Sequence, residues 1–157
     1  MTHFGTTKKG EDVERVTITA GDLYVSILTF GAIVQDVRLS DVPRNLTLGS
    51  EALADYEATM GYFGAIIGPI ANRISNARVR LDGMMYELER NENGQTHLHS
   101  GADGCHRKVW RIAAQTTDSV TLGLSMPDGA AGLPGQREIS VTYSVSAPAT
   151  LTMTIDG

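Results

Sequence analysis

Cysteine and aromatic residues are scarce in this chain, and it has no long apolar run. Cys105 is the only cysteine among 157 residues, which excludes an internal disulfide, and no cluster of Cys and His has the spacing of a zinc site. No apolar stretch approaches the roughly 18 residues that a membrane-spanning helix needs. The first residues lack the apolar segment of a signal peptide. We therefore expect a soluble, cytoplasmic domain without membrane contact.

Positive charge is also in deficit. The formal net charge is -5 and the sequence pI is about 5.3, so the chain offers no basic field for nucleic acid. No Walker A, GxGxxG or GxSxG pattern is present. A small molecule is the expected partner. With 41% hydrophobic and 20% charged residues the chain can bury a core, and residues 1–157 are predicted to form a single domain.

Alternation of apolar and polar residues is the main structural pattern. Residues 16–19 and 23–27 alternate at period two around Gly21-Asp22, which is typical of a hairpin. Asp82-Gly83 separates two further strand-like segments in the same way. Other strand-like runs occupy residues 32–39, 109–112, 120–124, 139–145 and 151–155. About nine or ten short strands predict an all-β fold, a mainly antiparallel β-sandwich.

Two segments and the final strand depart from this pattern. Residues 50–56 begin with Ser50 as a helix cap and predict one short helix. Residues 89–108 are rich in turn formers and predict a long functional loop. The final strand, residues 151–155, has no closing turn after it, so we expect an exposed sheet edge that permits self-association.

The long loop holds three of the four histidines, His97, His99 and His106. Histidine is the natural acid, base or hydrogen-bond donor near neutral pH. In an extended segment His97 and His99 would point to opposite faces, so they are not expected to bind one metal ion together. From chemistry alone, it stays open whether these histidines belong to a site or cap turns in solvent.

Four further side chains carry candidate chemistry. Arg73 lies between apolar neighbours and either binds ligand oxygens or caps backbone carbonyls, and Asn72 beside it can both donate and accept, as sugar hydroxyls require. Trp110 is either a platform for a pyranose ring or, the favoured alternative, a core residue. Cys105 has no clear activating group and is interpreted as incidental.

Six segments in order resemble the aldose 1-epimerase family, also called galactose mutarotases. They are Gly31-Ala32, residues 62–74 (YFGAIIGPIANRI), residues 81–88 (LDGMMYEL), residues 91–94 with 98–101 (NENG and LHSG), Val109-Trp110, and residues 127–135 (PDGAAGLPG) with 141–143 (VTY). Each segment is weak alone, but together they span nearly the whole chain. The resemblance implies the N-terminal part of a galactose mutarotase-like β-sandwich, truncated to about half.

The family's activity is implied in the same way. Its members interconvert the α and β anomers of free aldoses without a cofactor: a glutamate takes the proton of the C1 hydroxyl and a histidine protonates the ring oxygen. By position, Arg73 and His99 resemble the family's substrate-binding arginine and first histidine, with Asn72 as a neighbouring contact. Among these residues only His99 could transfer a proton, and an aldohexose is the implied ligand.

The sequence also departs from the family. The acid histidine belongs to a Thr-Asn-His-type motif and the base glutamate lies near the family's C-terminus, and neither pattern occurs in this chain. Ser100 and Pro69 stand where glycine and arginine are common. Three alternatives follow: an aldose 1-epimerase or part of one, a catalytically incomplete carbohydrate-binding or interaction module, or a remnant without function.

Overall fold

The computed structural model describes residues 1–157 and is built almost entirely from antiparallel strands. One short helix, α1 (Leu53–Tyr56), and four single-turn 3₁₀ segments interrupt them. The strands are β1 (Thr2–Thr6), β2 (Asp12–Ala20), β3 (Leu23–Leu28), β4 (Ile33–Leu39), β5 (Arg73–Ile74), β6 (Arg78–Leu81), β7 (Met84–Glu87), β8 (His97–Leu98), β9 (Arg111–Gln115), β10 (Ser119–Met126), β11 (Arg137–Ser146) and β12 (Thr150–Asp156). The predicted all-β, antiparallel fold is confirmed.

Two four-stranded sheets form the body of the molecule, and two small ladders lie beside them. The first sheet has the order β1-β2-β3-β4 and the second β12-β11-β10-β9. The small ladders are β5-β8 and β6-β7. The predicted hairpins at Gly21-Asp22 and Asp82-Gly83 are both present, joining β2 to β3 and β6 to β7.

The main core lies between the two large sheets. Alternating residues of β2 and β3 face alternating residues of β10 and β11, which explains the period-two pattern of these strands. The fully buried members include Val16, Ile18, Val25, Ile27, Val120, Leu122, Val141 and Tyr143. The Tyr143 hydroxyl donates to the carbonyl of Ala32 at 2.7 Å and so ties the second sheet to the start of β4.

The predicted helix is present but begins later than Ser50. Its N-cap is Ala52, with no side-chain cap. The Ser50 hydroxyl instead accepts the main-chain N–H of Ala52 and donates to Asp55, so it stabilises the turn before the helix. Leu53 and Tyr56 pack on the outer face of the first sheet. None of the helices is both long enough and apolar enough to cross a membrane.

Trp110 belongs to the core. Its side chain is 1% exposed and the indole N–H donates to the carbonyl of Cys105 at 3.1 Å, so the sugar-platform alternative is wrong. The strand predicted from residue 109 begins at Arg111, because Val109 forms only an isolated bridge with Phe30. Burial raises the pKa of the Cys105 thiol to about 11, in keeping with an unreactive core cysteine.

The last strand, β12, is an edge of the second sheet. It pairs with β11 on one side only. Met153 and Ile155 lie opposite Tyr143 and Val141, and therefore on the core-facing side, yet they are 52% and 50% exposed. The predicted exposed edge is thus present, and an uncovered apolar face accompanies it.

Candidate functional site

The short ladder of β5 and β8 brings three sequence-predicted residues together. Arg73 pairs with Leu98, and Ile74 pairs with His97. This register places Asn72, which precedes β5, beside His99, which follows β8. Residues 27 positions apart in sequence thereby share one surface.

Two reciprocal hydrogen bonds join Asn72 and His99. The main-chain N–H of His99 donates to the carbonyl of Asn72 at 3.1 Å, and the main-chain N–H of Asn72 donates to Nδ1 of His99 at 3.0 Å. Because Nδ1 accepts, the neutral imidazole carries its proton on Nε2. Neutral His99 therefore has its N–H donor at Nε2.

Glu92 holds the Arg73 guanidinium through two contacts. Arg73 Nε donates to Oε2 at 2.7 Å and Nη2 donates to Oε1 at 2.6 Å. The pair raises the pKa of Arg73 and lowers that of Glu92, in each case chiefly through the side-chain hydrogen bond. A positive charge on His99 would lower the pKa of Glu92 further. Arg73 thus bonds to a carboxylate of the chain, and the alternative that it caps backbone carbonyls is wrong.

Four residues at the site have a left-handed main-chain conformation. Asn72 has φ 70°, and the consecutive residues His99, Ser100 and Gly101 have φ 52°, 62° and 62°. Such conformations cost of order 1–3 kcal/mol for a residue with a side chain and are found at functional sites. Segment 97–101 is therefore not extended throughout. The prediction that His97 and His99 face opposite ways assumed an extended segment, so that assumption does not hold here.

Ser100 compensates for its departure from the glycine common in the family. Its hydroxyl accepts the N–H of Ile70 at 2.7 Å and donates to the carbonyl of Ile70 at 3.0 Å. The side chain is buried, and the two bonds fasten the loop after β8 to the segment before β5. Gly101 is left-handed as well (φ 62°), and a Cβ there would also require the Glu89 carboxylate, 2.1 Å away, to move.

His97 and His106 are buried rather than presented to solvent. His97 Nδ1 lies 2.8 Å from the carbonyl of Glu89, so this nitrogen carries the proton and the tautomer is the reverse of that in His99. His106 has a pKa lowered to about 4, chiefly by burial and then by Arg107 and His99. Of the three loop histidines, only His99 is hydrogen-bonded to Asn72, the residue that precedes Arg73.

Tyr62 connects the site to a neighbouring cavity. Its ring lies between those of His99 and His106, with both centroid separations 5.0 Å. The cavity has a volume of about 260 Å³, and its lining includes Tyr62, Glu89, Asn91, His106 and Arg107. Across the whole chain, no group of three or more His, Cys, Asp or Glu side chains is placed to hold a metal ion.

Sequence reasoning identified Asn72, Arg73 and His99, which the structure brings together, but missed Glu92 and Tyr62. Glu92 lies 19 residues from Arg73, and no local pattern marks their pairing. Tyr62 belonged to a matching segment, but its neighbours on either side, His99 and His106, come from the distant loop. Only the fold reveals both contacts.

Comparison with known proteins covers nearly the whole chain. The sequence pattern of the aldose 1-epimerase family matches residues 14–157. The bifunctional protein gal10 of Schizosaccharomyces pombe is 40% identical over 134 residues, which are 82% of this chain and 18% of that protein. The galactose mutarotase of Sus scrofa is 31% identical over 136 residues, 85% of this chain and 39% of that protein.

Solved structures agree with this match. The GalM/aldose epimerase homologue from C. elegans superposes with a TM-score of 0.78 at 28% identity, over 86% of this chain and 42% of that chain. Galactose 1-epimerase from Lactobacillus acidophilus superposes with a TM-score of 0.75 at 23% identity, which shows the shared fold. The chain thus spans less than half the length of these relatives. Since the family pattern extends from β2 to the last residue, the chain belongs to the aldose 1-epimerase family.

Proposed function

We propose that this chain binds a free aldohexose and supplies the sugar-positioning part of an aldose 1-epimerase. The observation that carries the proposal is the convergence of Arg73, Asn72 and His99 on one surface, in a chain of that family. In this proposal the guanidinium and the Nε2–H of His99 donate to sugar hydroxyls. The Asn72 side chain lies next to Arg73 and supplies a further polar contact.

The chemistry of anomer exchange defines what else is needed. A base removes the proton of the C1 hydroxyl, an acid protonates the ring oxygen, and the bond between C1 and the ring oxygen breaks to give the open aldehyde. Rotation about the C1–C2 bond and the reverse proton transfers then close the ring on the other face. A general acid and a general base each contribute about 10²–10⁴-fold.

The proposed site supplies at most one of these two groups. His99 can transfer a proton through Nε2. Glu92 is the carboxylate at the site, but both of its oxygens accept from Arg73 and its pKa is lowered, which makes it a poor base. We therefore propose that the acid histidine and base glutamate of the family belong to segments outside this chain, and that the chain alone turns over slowly.

The second candidate is a carbohydrate-binding or interaction module without turnover. It is favoured by the same engagement of Glu92, because both oxygens of that carboxylate accept from Arg73. The two candidates share the binding site. They differ in whether segments outside this chain supply the acid and the base.

Polarimetry and ligand-observed NMR together test the proposal. Freshly dissolved α-D-galactose should mutarotate at the buffer rate in the presence of the chain, while saturation-transfer NMR detects its binding. Arg73→Ala should weaken binding strongly, to an affinity that is still measurable at high sugar concentration. Arg78→Ala, in the exposed ion pair of β6 and β7, should retain the affinity of the unsubstituted chain.

Two results would contradict the proposal. Mutarotation far above the buffer rate, abolished by His99→Ala, would show that the chain assembles a complete site. Absence of sugar binding by the folded, unsubstituted chain would remove the binding role altogether.

A further inference from the structure

We propose that Glu92 is a positioning residue for sugar binding, which fixes the Arg73 guanidinium so that its Nη1 edge faces the ligand. The inference rests on the proposed function and deepens it. Glu92 belongs to the NENG segment that resembles the family, but the resemblance assigns it no role, and the positioning role follows from its contacts beside β5 and β8.

The geometry of the ion pair selects one edge of the guanidinium. Glu92 accepts from Nε and Nη2 of Arg73, so its carboxylate lies along that side of the planar group. The third nitrogen, Nη1, lies 3.5 Å from the side-chain oxygen of Asn72, which is too long for a strong hydrogen bond. The donors of Nη1 are therefore the ones directed to the surface shared with Asn72 and His99.

Glu92 is itself held by the main chain around it. Its N–H donates to the carbonyl of Thr96 and its carbonyl accepts the N–H of Thr96, both at 3.0 Å. Next to it, the Asn91 side chain donates to the carbonyl of Leu98 and accepts the N–H of Leu98. The loop carrying Glu92 is thus fastened to β8, the strand that precedes His99.

The two partners differ in exposure. The Glu92 side chain is 22% exposed, whereas that of Arg73 is 58% exposed. A long, exposed arginine samples many rotamers, and binding must then fix them at a cost in entropy. Glu92 removes that cost before the sugar arrives, because it holds the guanidinium in one orientation.

A stabilising role alone would not require this arrangement. Exposed ion pairs contribute little to stability, and the chain has a comparable pair with no site beside it. Arg78 and Glu87 pair across β6 and β7 at 2.7 Å, with both side chains more than half exposed. Glu87→Gln is therefore a matched control for Glu92→Gln.

The test measures affinity for D-galactose by NMR titration of the chain and four variants. They are Glu92→Gln, Glu87→Gln, Arg73→Ala and the double variant Arg73→Ala/Glu92→Gln. We expect Glu92→Gln to weaken binding about three- to tenfold, the cost of fixing one flexible side chain, and Glu87→Gln to leave it unchanged. In the Arg73→Ala background, Glu92→Gln should have no added effect, because Glu92 acts through Arg73.

A spectroscopic measurement separates orientation from folding. The Nε–H signal of Arg73 should be resolved and slowly exchanging in the unsubstituted chain and in Glu87→Gln. In Glu92→Gln it should broaden or be lost while the main-chain amide spectrum stays the same.

The outcomes distinguish this inference from the function on which it rests. Equal or tighter sugar binding by Glu92→Gln would overturn the positioning role and leave the proposed function intact. A loss in Glu92→Gln that persists undiminished in the Arg73→Ala background would also overturn it. If the unsubstituted chain binds no sugar, the proposed function fails and this inference fails with it.

Discussion

The main-chain N–H of Asn72 donates to Nδ1 of His99 at 3.0 Å, while the carbonyl of Asn72 accepts the N–H of His99 at 3.1 Å. The same two residues thus hold each other through backbone and ring. A ring held in this way cannot rotate without breaking a hydrogen bond, so the direction of Nε2 is set before any ligand binds.

The tautomers of two histidines provide the first prediction. Neutral His99 should carry its proton on Nε2, because Nδ1 accepts from Asn72, and His97 should carry its proton on Nδ1, because that nitrogen donates to the carbonyl of Glu89. Long-range ¹H–¹⁵N correlation spectra of the imidazole rings distinguish the two forms. Finding the same tautomer in both rings would contradict the hydrogen bonding described above.

The second prediction concerns Ser100, which combines a left-handed backbone with two hydrogen bonds to Ile70. Ser100→Ala should lower the free energy of unfolding by about 1–3 kcal/mol, because it leaves the N–H and carbonyl of Ile70 without their partner. Ser100→Gly loses the same bonds but relieves the left-handed strain, so it should cost about 0.5–1 kcal/mol less.

Urea denaturation of the three proteins measures this difference. The Ser→Gly change restores the residue common in the family, so it also tests whether the hydroxyl compensates for the departure. An alanine variant at least as stable as the glycine variant would show that strain at residue 100 is negligible.

The third prediction is a pH dependence of stability from His106. Its pKa is lowered from 6.5 to about 4, chiefly by burial. Between these values the unfolded chain binds a proton that the folded chain does not, so stability falls as the pH drops from 6.5 to 4 and is unaffected above that window. The effect should be on the order of 2 kcal/mol, after allowance for solvent near a ring that lines a cavity.

His106→Gln should remove this part of the pH dependence, whereas His3→Gln, at an exposed position in β1, should not. Urea denaturation at about pH 7, 5.5 and 4.5 measures it. Equal pH dependence in the unsubstituted chain and in His106→Gln would mean that the imidazole is not held neutral by burial.

Much of the fold could be predicted because burial between two sheets imposes a period of two on the sequence. That pattern identified β2 and β3, and Gly21-Asp22 identified the turn between them. Strand β1 gave no such pattern, since it is a largely exposed edge strand that depends on its pairing with β2. The start of the helix was also missed, because Ser50 stabilises a preceding turn.

The candidate site, like the fold, could be predicted only in part from the sequence. Asn72, Arg73 and His99 could be identified from short motifs, because each belongs to a segment that resembles the family. Glu92 also belongs to such a segment, but its role could not be predicted, since its contact with Arg73 depends on how the loop before β8 is fastened to that strand. The burial of His97 and His106 likewise depends on distant segments rather than on their own neighbours.

The last prediction concerns the uncovered face of β12. Met153 and Ile155 continue the apolar surface of Tyr143 and Val141 beyond the region covered by the first sheet, and each remains about half exposed. Full burial of such a side chain contributes about 1.5–3 kcal/mol. Burying the exposed halves of Met153 and Ile155 against a second chain would therefore favour association. We therefore expect the chain to self-associate in a concentration-dependent way in sedimentation velocity experiments.

Two double variants separate burial of this face from pairing of the strand edge. Met153→Lys/Ile155→Lys charges the core-facing side of β12 and should shift the chain towards the monomer. Thr152→Lys/Thr154→Lys adds the same charge to the same strand on the opposite side, and should leave association largely intact if the apolar face drives it. If both variants abolish association equally, the unpaired edge of β12 rather than its apolar face holds the chains together, since charge on either side opposes edge pairing. A monomer at every concentration would contradict the prediction, because it would show that the exposed Met153 and Ile155 are tolerated without a partner.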